Sequence, residues 1–203
     1  MTEGQYKIET GEDKAWRELA GLEPSIVAAR SGAVHDAATG AYTLRVFGEE
    51  FLVAPSTRTI TSLSDPDRKP EYLLGLAVPV YLTQAKDIPV SGELVKEFRG
   101  GEFFFRGSHT LPLEEIAEKY GEDRGLFVEA GGALGGAALP MGDAAFEFYV
   151  FPKVRMAFVL WLTDEEFPAR ASLLFDSNAD RHIALDVVWA VALVACQRVL
   201  KYK

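Results

Sequence analysis

Apolar residues recur along this chain with two different periods, and the changes between them mark its elements. In residues 12–30 (EDKAWRELAGLEPSIVAAR), Trp16, Leu19 and Ala20 stand at helical spacing behind an acidic first turn. Pro24 fits the first turn of a second short helix. The period then drops to two. Tyr42, Leu44 and Val46 alternate with Thr43, Arg45 and Phe47, and short turns separate this run from those at 50–54 and 58–61. That pattern predicts an antiparallel meander. SLSDPDRKP (62–70) reads as a polar loop and a candidate hinge. A mostly apolar helix is predicted from Glu71 to Ala85, which Pro79 is expected to kink or divide.

Residues 86–107 are loop-rich and hold Phe103, Phe104 and Phe105 in a row. Three consecutive rings cannot all face one side, so at least one is expected on a second packed surface, a pocket or a subunit contact. A helix is predicted from 111 to Tyr120, and another begins near 126 and runs into four glycines. Strands follow at 144–151, 154–163 and 169–175, then a helix from about Ala179 to Tyr202 that is apolar on nearly every face. Such a helix has to be surrounded. It is expected at the centre of the molecule, with part of it shared in a homodimer.

Strand-rich blocks set apart from helical blocks indicate an α+β fold with antiparallel sheet packed around the last helix. A length of 203 residues suits one domain. Its parts are a helix and meander in 1–62, a helical and loop-rich middle in 63–140, and strands with the long helix in 141–203.

Charge narrows the partners. Lys and Arg total 21 against 30 Asp and Glu, a net charge of -9, which repels phosphate backbones, so nucleic acid is not expected. Ile183 to Cys196 is the most apolar run, is interrupted by Asp186, and is shorter than the roughly 18 residues of a membrane span. The first residues show no signal peptide pattern, and a cytoplasmic protein is expected. Cys196 is the only cysteine, which leaves no internal disulfide and no cysteine-built cluster, and inside the last helix it reads as a buried inert thiol.

No nucleophile elbow, phosphate loop, dinucleotide fingerprint or zinc helix is present, and no cofactor is implied. The densest acid cluster is Asp164-Glu165-Glu166, between two apolar strands. It could hold a hard cation or carry one carboxylate of raised pKa, or it could be a turn kept soluble by charge. Asp176 to His182 alternates oxygen ligands like a calcium loop but has Arg181 where the glycine belongs and Val187 at the twelfth place, so no calcium hand forms. Asp176, Ser177 and Asn178 fit better as capping groups. His182 and Asp186, four apart, could pair on one helix and form a buried polar group with Asp176. Asp164, Glu166, Asp176 and His182 are therefore the candidates for catalysis, and Phe103, Phe105, Arg106, His109 and Trp161 those for holding a small aromatic or anionic ligand.

The segments Tyr42-Thr43-Leu44 with Phe47-Gly48, 85–105 with Gly92 and Gly100-Gly101, Leu134-Gly135-Gly136 with Gly142-Asp143, Trp161 with Asp164-Glu165-Glu166-Phe167-Pro168, and Leu174-Phe175-Asp176 carry a resemblance over almost the whole chain. On them it resembles the bacterial and archaeal family catalogued as Domain of Unknown Function 3786. The resemblance implies an accessory role in anaerobic redox or corrinoid-type metabolism. Some similar chains add a cysteine-rich iron–sulfur segment that this one lacks. Three functions follow in order: a binding or accessory domain for a small ligand or protein partner, a structural assembly subunit, and a metal-dependent hydrolase using the acidic turn.

Overall fold

The two-residue turn Phe47-Gly48 is where the two halves of the fold meet. A computed structural model describes residues 11–101 and 104–203. Its first part holds helices α1 (Gly11–Gly21) and α2 (Pro24–Ser31), broken where Pro24 was expected to start the second, then strands β1 (Val34–His35), β2 (Tyr42–Val46), β3 (Glu49–Ala54) and β4 (Thr59–Ser62). The strands pair antiparallel in the order β1-β2-β3-β4, the expected meander. Val46 pairs with Glu49, so Phe47 and Gly48 alone make the hairpin, both with positive φ (50° and 78°). A left-handed φ is uncommon for a phenylalanine. Here packing holds it: the Phe47 ring lies buried over Phe148, and its N–H donates to Val150 O at 3.2 Å.

Helix α3 (Tyr72–Gln84) follows, then β5 (Leu94–Val95), a 3-10 turn at Gly107–His109, α4 (Leu113–Tyr120), α5 (Arg124–Ala133) and β6 (Ala137–Ala138). Pro79 does not divide α3, which runs unbroken through it. The proline is buried, and packing of α3 against α1, α2 and α7 holds the helix together where one hydrogen bond is missing. The 62–70 loop is tied down: Glu49, at the start of β3, accepts hydrogen bonds from Ser62, Ser64 and Arg68.

The last third forms β7 (Ala144–Phe151), β8 (Val154–Trp161), β9 (Arg170–Asp176), a single turn α6 (Ala179–His182) and α7 (Leu185–Lys201). The second sheet runs β5-β9-β8-β7-β6, entirely antiparallel. Phe146, Phe148, Met156, Phe158, Leu173 and Phe175 join Val188, Val191, Val194 and Val199 of α7 in one core. Burying each of those α7 valines is worth roughly 1.5 kcal/mol or more. The expected long helix differs in two ways. It breaks at Ile183 and Ala184, both extended, which lets the consecutive His182 and Ile183 both be buried. Its burial is also uneven: Trp189, Leu193 and Leu200 pack on the core half-buried, and Asp186, Gln197 and Lys201 are exposed. Among the described residues no helix is long and apolar enough to cross a membrane.

Candidate functional site

Asp164 spends its carboxylate on its own turn. Its Oδ1 accepts the N–H groups of Glu166 (2.8 Å) and Phe167 (2.7 Å), and its N–H donates to Phe167 O (3.1 Å). This closes the β8–β9 hairpin, with Glu165 and Glu166 exposed beside it. Asp176 lies at the other end of the seven-residue β9, about 20 Å away at strand rise. An antiparallel strand puts its two turns at opposite ends of the sheet, so Asp164 and Glu166 do not meet Asp176 and His182. Among the described residues no group of three or more His, Cys, Asp and Glu is placed to hold a metal ion.

Asp176 and His182 are both fully buried. Asp176 Oδ1 accepts from Ser91 N (2.9 Å) and Asn178 N (3.0 Å), and Oδ2 from Gly92 N (3.0 Å). Burial pushes its pKa up, but these hydrogen bonds outweigh it and hold the carboxyl below its ordinary value. The group ties the 89–93 loop to the end of β9. His182 Nδ1 accepts from Lys86 N at 3.3 Å, which leaves the imidazole hydrogen on Nε2, buried without a partner among the described residues. Burial, then the charge of Lys153, lowers its pKa to about 4, so the ring is neutral. The expected His182–Asp186 pair does not form. The helix break separates them, and Asp186 Oδ1 accepts from Val187 N instead.

The aromatic segment is mainly packing. Phe105 stacks on Phe175 (4.9 Å between centroids) and Phe104 meets Phe105 edge-on (5.5 Å). His109 lies 4.6 Å from Phe104 and 5.1 Å from Trp189. Phe103 lies outside the described residues, and Arg106 is exposed. Trp161 sits elsewhere, at the acidic-turn end of β9, with the Arg170 guanidinium 4.1 Å above its ring. Phe105 covers the Phe175 end of that strand, so Trp161 does not share its surface.

A cavity that no local motif announced lies beside the Phe47-Gly48 turn. It measures about 440 Å³ and is lined by Phe51, the 68–71 segment, Ala130, Ala133 and Leu134 from the end of α5, and Arg198, Lys201 and Tyr202 from the end of α7. That size falls in the range of small-molecule sites. Four cations line it (Arg68, Lys69, Arg198 and Lys201) against one carboxylate, Glu71. Arg198 forks onto Glu71, Nε to Oε1 at 2.8 Å and Nη2 to Oε2 at 2.9 Å, and stands 4.5 Å above the Phe47 ring. Burial raises the pKa of Glu71, yet the Arg198 hydrogen bonds and charge bring it below the usual carboxylate range. Arg68 is paired with Glu49. Among the described residues Lys69 and Lys201 pair with no carboxylate, and both are exposed. The cations come from residues 68–69, 198 and 201, too far apart in sequence to register as a basic patch on a chain of net charge -9.

Residues 23–198 match a family model described as Domain of unknown function (DUF3786). No curated protein and no solved structure matches the chain.

Proposed function

Since the chain belongs to the DUF3786 family, whose description assigns no reaction, we propose a function from the geometry: a non-catalytic binding or accessory domain that takes a small anionic ligand in the basic cavity. The observation that supports this reading is the reversal of charge. A surface of net charge -9 holds one cavity with four cations around it and a single carboxylate. Two of those cations are fixed by ion pairs and, for Arg198, by an aromatic face, so the cavity is preorganised at little further cost in side-chain freedom. We set the ligand in this cavity rather than on Phe103, Phe105, Arg106, His109 and Trp161, two of which pack on neighbours, Phe105 on Phe175 and Trp161 under Arg170.

A thermal-shift panel of carboxylates, phosphates, nucleotides and tetrapyrroles tests the proposal. Anions should raise the melting temperature, and a Lys69→Ala/Lys201→Ala variant should lose the shift. Silence across the whole panel would overturn it. The accessory role in anaerobic redox or corrinoid-type metabolism is part of the same proposal and rests on the resemblance alone.

The assembly reading has one observation in its favour, the incomplete burial of the apolar Trp189, Leu193 and Leu200 of α7. Sedimentation that shows only a monomer at high concentration would remove it.

A further inference from the structure

We infer that the basic cavity selects a dianion (a phosphate monoester or a dicarboxylate on a compact apolar body) over a monoanion; this rests on the anion-binding reading above. The two arginines are already matched: Arg198 by both oxygens of Glu71, Arg68 by Glu49. Glu71 fills the Arg198 fork with both oxygens, and Glu49 takes Nη2 of Arg68. Lys69 and Lys201 remain, with no carboxylate on either among the described residues, lining the same cavity. A monoanion neutralises one ammonium and leaves the other, on the same cavity, uncompensated. A dianion neutralises both, and lysine suits either source because its ammonium is a point charge that does not demand fork geometry. Pro70, Ala133 and Leu134 add apolar groups to the lining. Those groups favour a ligand with a body over free phosphate.

Isothermal titration of the full chain against benzamide, benzoate, phthalate and phenyl phosphate separates the claims, run at about pH 7.5 where the phosphate carries close to two charges. Phthalate or phenyl phosphate should bind about tenfold more tightly than benzoate, and benzamide should not bind. The stronger of the two dianions names the source of the charge. In Lys69→Gln/Lys201→Gln the advantage of the dianions should disappear while the melting temperature stays put, since both side chains are exposed. Equal affinity for benzoate and the dianions would overturn the selectivity but leave an anion site. Binding of none of the four would sink the underlying reading.

Discussion

Gly48 and Gly135 cross backbone to backbone. A β-carbon built on Gly48 would stand 3.2 Å from the Gly135 α-carbon, and one on Gly135 would stand 3.1 Å from that of Gly48. Both have positive φ, 78° and 69°. The hairpin of the first sheet therefore docks on the turn leaving α5, and the basic cavity opens beside that crossing, walled by Leu134 on one side and by Arg198 over the Phe47 ring on the other.

Alanine at either glycine adds a contact against backbone and a strained φ. Gly48→Ala and Gly135→Ala should each lower stability by about 1 to 3 kcal/mol, which denaturant melts would read. Gly132→Ala is the control. It lies in α5 with open space around it, and should be neutral or stabilising by up to about 1 kcal/mol.

His182 makes stability depend on pH. Its folded pKa of about 4 lies below the ordinary 6.5, so the unfolded chain takes up the proton first. Stability from this group is complete above pH 6.5 and is lost as pH falls toward 4, a loss of roughly 3 kcal/mol. Denaturant midpoints across that window should show the slope. In His182→Gln the slope should flatten; an unchanged slope would assign it to other groups.

Asp176 acts in a lower window. Its folded pKa is depressed below 3.8, so its contribution is present above that pH and lost below it. Removing the carboxylate strands three backbone N–H groups in Asp176→Ala. A cost of about 2 to 4 kcal/mol is expected, with faster amide exchange at Ser91 and Gly92. Protected amides at both positions in the variant would show that the loop is held by something else.

Cys196 is fully buried, and burial pushes its thiol up to about 12. A thiol reagent should not label it in the native state, and labelling should follow global unfolding as denaturant rises. Rapid labelling without denaturant would contradict the packing of α7.

Period and turn chemistry made most elements legible. Pro24 marked the start of α2, the alternation around Tyr42 to Val46 marked a strand, and the acidic and proline turns bracketed β7, β8 and β9. These signals are local, each set by a few adjacent residues. The break at Ile183-Ala184 was not legible, because no glycine or proline interrupts the apolar pattern and the reason for the break is the burial of His182 and Ile183. The catalytic candidates are separated by the fold. Asp164 and Asp176 are twelve positions apart in the chain, and β9, a strand of an antiparallel sheet, holds them at opposite ends. Much of what carries the resemblance turned out to be architecture: Gly48 against Gly135, Gly142 against the Leu160 carbonyl, and Gly92 donating to Asp176.

By itself the sequence determined the α+β class, the antiparallel strands, the buried thiol and an acidic exterior, since periodicity, composition and charge act over short range or over the whole surface. Only the tertiary structure decided where charge gathers. Arg68, Lys69, Arg198 and Lys201 line one cavity where the crossing at Gly48 and Gly135 and the Glu71–Arg198 pair bring four separate segments together. Electrostatic potential depends on distance in space, and a linear chain does not contain that distance until it folds.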